Sequence, residues 1–198
     1  MLDIDPTKGG PVSTKTLSID QLGRRGEGIA HLDDARIYVP LALPGESVAV
    51  DIEGDRGNLL SILESSPDRI DPSCPYFGSC GGCQLQHIAP AAYLAFKRSL
   101  VETPLHRAGI EAPVAEPVSA HGAGRRRATL HARRNGAGYM RARSHEILPI
   151  DACPILVPDL ARAPEIARAA HAAVGDCDTS FTTTLTGIDL EIRTEKRA

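Results

Sequence analysis

The stretch LPGESVAVDIEGDRGNLLSILES, Leu43 to Ser65, decides how the first third of this chain folds. Val48, Val50 and Ile52 alternate with Ala49, Asp51 and Glu53, the period-two pattern of a strand with one face in a core and the other in water. Pro44-Gly45 and Gly54 to Gly57 are turn signals, so the alternating run is bounded by turns and a second strand follows it. The same rhythm of short apolar runs and turns extends upstream through TLSIDQLG and GEGIAHLDDARIYVP. Five short strands in so small a span predict a small all-β barrel over residues 15–66, because a sheet that curls on itself removes its exposed edges.

The pattern changes on either side of that span. Residues 1–14 are rich in Gly and Pro and read as a disordered tail. Residues 67–89 form a linker and a cysteine-rich loop, and residues 90–198 read as a mixed α/β domain. Within that domain Ala91 to Ala108 predicts a helix, with Pro90 in the first turn and Gly109 as its stop. Pro104 predicts a kink or an early end. The run RRRATLHARRNGAGYMRARSHEILPI predicts a hairpin or meander turning at Asn135-Gly136. A helix from Pro164 to Val174 and a terminal strand or hairpin with Ile188, Leu190 and Ile192 in alternation complete an α+β chain.

No apolar run approaches the ~20 residues that cross a bilayer, and no signal-peptide pattern precedes the barrel, so the expectation is a soluble, cytoplasmic monomer without a membrane partner. The net charge of -3 argues against a generic nucleic-acid binder. Its distribution argues the other way. Seven arginines, Arg125, Arg126, Arg127, Arg133, Arg134, Arg141 and Arg143, lie between His121 and Arg143 without one Asp or Glu. The rest of the chain holds fifteen basic and twenty-five acidic residues. On a regular strand Arg125, Arg127, Thr129, His131 and Arg133 share one face, opposite Ala128, Leu130 and Ala132, which predicts a cationic ladder for a polyanion. Arg24 and Arg25, in the first turn of the barrel, are a weaker pair of candidate contacts.

Three of the five cysteines stand close together in CPYFGSCGGCQLQH, Cys74 to His87, with the spacing C-x5-C-x2-C. In a reducing compartment such a cluster points to a metal site. Gly78, Gly81 and Gly82 give the backbone the freedom to wrap three sulfurs around one center. A fourth ligand is needed. Cys153 shares with Cys74 a following proline, whereas Cys177 lies between two aspartates that disfavour a thiolate. Four cysteines hold zinc or an iron-sulfur cluster. One knuckle with two solitary cysteines favours the latter.

These residues resemble a family. CPYFGSCGGCQLQH followed by CPIL is similar to the iron-sulfur motif of the bacterial S-adenosylmethionine-dependent RNA uracil-5-methyltransferases, especially the 23S rRNA branch. LGRRGEGIAHLDDARIYVPLALPGE resembles the TRAM domain that precedes the motif in that branch, and GRRRATLHAR resembles the start of its central RNA-contacting domain. The resemblance covers residues 15–193. It implies an OB-like TRAM barrel, a 4Fe-4S cluster on Cys74, Cys80, Cys83 and Cys153, and RNA as partner, with 23S rRNA the substrate class. The cluster is expected to serve folding and RNA recognition. Arg24, Arg25, Arg125, Arg126, Arg127, His131, Arg133, Arg134, Arg141 and Arg143 are the candidate RNA contacts.

The family's glycine-rich cofactor loop, its Asp-Pro-Pro segment and its nucleophile in a Ser-Cys-Asn-Pro setting do not occur in these 198 residues. The expectation is therefore the recognition portion of such an enzyme, inactive alone, with S-adenosylmethionine bound in a domain absent from this sequence. The alternative is a stand-alone, non-catalytic iron-sulfur RNA-binding protein. A TRAM-containing radical enzyme is disfavoured, because those enzymes use C-x3-C-x2-C and carry the barrel after the catalytic domain.

Overall fold

The computed structural model describes residues 14–118 and 124–194, so the expected tail lies, but for Thr14, outside the described residues. The chain divides into two compact units. One contains the described residues up to Asp71 with Leu85–Pro117, the other Pro72–Gln84 with the described residues from Val118 onward. The helix that the sequence places in the 90–198 segment thus belongs to the first unit, and the three clustered cysteines belong to the second.

The first unit is built on six strands, β1 (Thr14–Ser18), β2 (Gln21–Leu22), β3 (Gly28–Leu32), β4 (Ala35–Val39), β5 (Ser47–Glu53) and β6 (Arg56–Glu64). Their order in the sheet is β1-β5-β6-β4-β3-β2, antiparallel except where Tyr38 of β4 meets Arg56 of β6 in parallel. Instead of closing by a ladder, the two ends of this curled sheet are joined by the chain itself. The Ile19 amide donates to the Glu46 carbonyl at 2.9 Å, and the next amide, Asp20, donates to Ile29 at 2.8 Å. Two register shifts between β5 and β6 add to the curl. Inside it, Leu17, Ile37, Val39, Val48 and Val50 form the core expected from the alternation in β5.

The Leu43–Glu46 turn is of type II, with Pro44 second and Gly45 at φ +81°, a conformation that side-chain-bearing residues adopt only under strain. Its last residue caps it. The Glu46 carboxylate, 1% exposed, accepts the Leu43 amide at 2.8 Å and the Ser66 amide at 3.3 Å. It also accepts two hydrogen bonds from the Arg69 guanidinium, at 2.5 and 2.8 Å, and Arg69 donates again to the Leu41 carbonyl. Burial alone would raise the Glu46 carboxyl, but these donors and the Arg69 charge hold it below its usual range. Beside this pair sits His87, 1% exposed, whose backbone carbonyl accepts the Ile70 amide. Burial, reinforced by the Arg69 charge, pulls His87 down to about 4.

Helix α1 (Pro90–Arg107) runs through Pro104 for three further residues, because only one amide is missing and the Ala108 amide again finds the Pro104 carbonyl. It closes at Gly109 as expected, with Ile110 donating to Leu105 and Gly109 to His106. None of its side chains is buried.

The second unit holds β7 (Arg127–Arg133), β8 (Gly136–Met140), β9 (Ile147–Pro149), β10 (Cys177–Thr183) and β11 (Ile188–Thr194), in the antiparallel order β11-β10-β7-β8-β9. Helix α2 (Ala163–Val174) lays Ala163, Ala167 and Ala170 on the sheet, and these small residues let it pack close to Leu130, Phe181 and the fully buried Cys177. The β7–β8 turn is Arg134-Asn135, one residue earlier than expected, since Arg133 already pairs with Gly136. That register turns Ala132 and Ala137 together into the core. Among the described residues no helix is long and apolar enough to cross a membrane.

Candidate functional site

The cysteine loop is wound by its own backbone. Phe77 donates to the Cys74 carbonyl at 3.1 Å, and the Ser79 and Cys80 amides both donate to the Tyr76 carbonyl, at 3.2 and 2.8 Å. Phe77 anchors this coil in the interior. The loop is then stitched to the end of β8: Gly81 donates to the Met140 carbonyl and Ala142 to the Ser79 carbonyl, both at 2.9 Å, with Cys80 opposite Arg141. Cys153 arrives from another direction, just after β9, in a turn closed by the Leu156 amide on the Cys153 carbonyl. The Tyr76 hydroxyl fixes that approach by accepting the Asp151 amide at 3.0 Å. Tyr139 reaches the same place and aims its hydroxyl at the Cys153 sulfur, 4.0 Å away.

All four thiols are half-buried. Burial pushes Cys74 up, the neighbouring amides of Tyr76 and Phe77 pull it down, and the Cys153 and Cys83 sulfurs raise it further. Cys80 is likewise raised, first by burial and then by the charges of Cys83, Cys153 and Cys74, against a hydrogen bond from the Gly82 amide at 3.4 Å. Neighbouring thiols of this kind favour a cationic guest that removes their mutual repulsion. Among the described residues, however, no three Cys, His, Asp or Glu side chains close tightly enough on one point to hold a single metal ion. Soft thiolates with amide donors directed at them are the donor chemistry of an iron-sulfur cluster. Cys177 takes no part in this group. It lies in the core under α2, with its sulfur 3.9 Å from the Thr179 hydroxyl.

The arginines are placed less uniformly than a ladder. On the outer face of β7, Arg127 donates to the Thr182 hydroxyl at 3.3 Å and Thr129 meets Ser180 at 2.8 Å. His131 and Arg133 both bond Asp178 of β10, at 2.8 and 3.1 Å. Burial would raise the Asp178 carboxyl, but the hydrogen bonds and charges of His131 and Arg133 bring it below its usual range. Arg141 pairs with Glu146 at 3.3 Å. Arg126 donates to the Thr183 carbonyl. Arg125 precedes the strand rather than joining its face, its backbone bonded to Ile155 and Val157. Arg134 and Arg143 project into solvent without an ion pair among the described residues, and so do Arg24 and Arg25 of the β2–β3 turn in the other unit. Sequence reasoning missed Asp178, Tyr76 and Tyr139, and only the strand register brings them to these positions.

No protein-family model matches the chain. Relatives are nonetheless plain. An uncharacterized RNA methyltransferase of Agrobacterium fabrum is 44% identical over 159 residues, covering 75% of this chain and 38% of the relative. Another from Rhizobium meliloti is 37% identical over 193 residues, 90% of this chain and 46% of the relative. The 23S rRNA (uracil(1939)-C(5))-methyltransferase RlmD of Halomonas elongata is 35% identical over 164 residues, 76% of this chain and 34% of the relative. The chain thus spans less than half the length of these curated relatives. Among solved structures, the tRNA (uracil-54, C5)-methyltransferase of Pyrococcus abyssi, in complex with S-adenosyl-L-homocysteine, matches with a TM-score of 0.62 at 21% identity, over 89% of this chain and 44% of its own. That likeness is one of fold.

Proposed function

From the premise that this chain belongs to the RNA methyltransferase family of those relatives, we propose that it is the RNA-recognition and cluster-binding portion of an S-adenosylmethionine-dependent uracil-5-methyltransferase acting on 23S rRNA. The curled sheet of the first unit is then its TRAM module. Cys74, Cys80, Cys83 and Cys153 are the ligands of a 4Fe-4S cluster. When bound, the cluster supplies a covalent tie between the 74–83 loop and the segment after β9, and so fixes the β8–β9 end that carries Arg141 and Arg143. The observations that support this most are the stitching of the 74–83 loop to the end of β8 and the Tyr76 hydroxyl bracing the segment that carries Cys153.

RNA contact falls to the cations left uncompensated. Arg127, Arg134 and Arg143, with Arg24 and Arg25, present guanidinium groups to solvent, where they can pair with phosphate or stack on an unpaired base. Arg133, His131 and Arg141 must first part from a carboxylate. We assign methyl transfer and the methyl-donor site to parts of the relatives outside the matched segment. Cys177, enclosed in the core, is no nucleophile.

Anaerobic purification with iron and sulfide assays and a visible spectrum tests the cluster. Cys80→Ser and Cys153→Ser should each abolish the thiolate-to-iron band, while Cys177→Ser keeps it. A band that survives Cys153→Ser, or disappears with Cys177→Ser, refutes the ligand set.

A further inference from the structure

Arg125 stands apart from the other arginines because its backbone and its guanidinium bond both of the segments that carry the cysteines. Its backbone amide donates to the Ile155 carbonyl at 2.9 Å, and its carbonyl accepts the Val157 amide at 3.1 Å, so it is zipped to the segment that begins with Cys153. Its guanidinium donates to the Gly82 carbonyl at 3.5 Å, between Cys80 and Cys83. Close by, the Tyr139 hydroxyl, on which the Arg125 charge acts, points at the Cys153 sulfur 4.0 Å away. Arg125 is thereby tied to Gly82, whose own amide donates to the Cys80 sulfur, and through its backbone to the segment after Cys153, whose sulfur Tyr139 faces. It joins the two chain segments that supply the thiols. Nothing comparable surrounds Arg134 or Arg143.

We propose that Arg125 and Tyr139 act as a couple that orients Cys153 and balances the negative charge of the cysteine site, and that Arg125 is not an RNA contact. The inference rests on the reading of the four cysteines as a cluster site. An arginine keeps its charge at any physiological pH, so its benefit grows when four thiolates must be held together. Tyr139, half-buried, adds a hydrogen-bond donor that only a hydroxyl can provide. Outer partners of this kind orient ligands and tune the group they hold.

The test uses the whole chain, loaded anaerobically with ferrous iron and sulfide. Tyr139→Phe keeps the ring and removes the donor; it should lose iron to a chelator roughly tenfold faster than the wild type. Its reduction midpoint should move to more negative potential. Arg125→Gln should do both more strongly, and Arg125→Lys, which restores the charge but not the fork, should recover part of the midpoint shift. Neither Arg125 variant should change the salt dependence of binding to a single-stranded RNA oligonucleotide. Thermal unfolding of the metal-free proteins identifies any variant that fails for lack of folding, and the Tyr139→Phe result then decides. Variants with wild-type iron loss and midpoint overturn the couple while leaving the cluster reading intact, as does an Arg125→Gln protein with a shallower salt slope. A wild type that takes up neither iron nor sulfide overturns both.

Discussion

Acidification should weaken the first unit through one residue, His87. This imidazole is 1% exposed beside the Arg69–Glu46 pair, and burial with the Arg69 charge holds it near 4 instead of its ordinary 6.5. Glu46 offers little relief, because its oxygens already accept bonds from Leu43, Ser66 and Arg69. Above pH 6.5 the ring is neutral folded or unfolded and the stability is complete. As the pH falls toward 4, the unfolded chain takes up a proton that the folded chain refuses, and stability is lost with a slope approaching 1.36 kcal/mol per pH unit. By pH 4.5 the loss is roughly 2.5 kcal/mol, a large share of the ~5–15 kcal/mol typical of a domain. Glu46, held below its usual range, keeps its full stabilisation through this window and loses it only as pH falls from about 4.5 through its depressed value. The window between 6.5 and 4.5 is therefore diagnostic. Urea unfolding of wild type and His87→Gln from pH 8 to 4.5, with hydrogen exchange of the Ile70 and Ile88 amides, measures the difference curve, in which the other titrating groups cancel. The variant should be the less pH-sensitive protein by about that amount. A flat difference curve refutes the reasoning.

Two further outcomes follow from close contacts in the second unit. Gly138→Ala would set a methyl group 1.9 Å from the Leu148 carbonyl oxygen, which β8 and β9 cannot both accommodate. It should cost about 3 kcal/mol or more, read as a drop in denaturant midpoint, and an unchanged midpoint would show that the strands separate freely. Asp178→Asn removes the carboxylate that engages His131 and Arg133, and should raise affinity for a single-stranded RNA oligonucleotide while steepening its salt slope by up to roughly 0.7 per phosphate newly contacted. Unchanged affinity and slope would remove the outer face of β7 from the RNA surface.

The elements that were legible in the sequence are those fixed by local pattern. The alternation of Val48 and Val50, the buried row Ala128, Leu130 and Ala132, and the glycine stop of α1 need only neighbours to be read. Cys153 stands out in the sequence only because proline follows it as it follows Cys74; what the structure adds is the Tyr139 hydroxyl facing its sulfur. The partners of the arginines were not, because they come from far away. Asp178 meets His131 across 47 residues, through a strand register that no window of sequence contains. Tyr76 and Tyr139 were silent for the same reason, each being an unremarkable aromatic until β8, β9 and the cysteine loop converge. The alternation of Ile188, Leu190 and Ile192 was read correctly as a strand, but it does not report burial. α2 packs on β7, β8 and β10, and leaves β11 at the edge with these three side chains 42 to 45% exposed.

The arginine-rich segment shows what a charge count conceals. Seven cations without an acidic residue between them suggest one uniform surface, yet the fold sorts them by the acceptor within reach. Where a carboxylate is opposite in the open, as for Arg141 with Glu146, an exposed pair is worth only ~0–1 kcal/mol, so a phosphate can displace it at small cost, whereas Arg133 shares the half-buried Asp178 with His131 and is held more firmly. Where the acceptor is a carbonyl of the cysteine loop, as for Arg125 on Gly82, displacement would also loosen the loop that carries Cys80 and Cys83, and the cost is borne by the sulfur site. Where nothing stands opposite, as for Arg134 and Arg143, the charge is open to any anion that approaches. The same residue type thus serves three purposes within nineteen positions, and which one it serves follows from the strand register rather than from the spacing of the arginines.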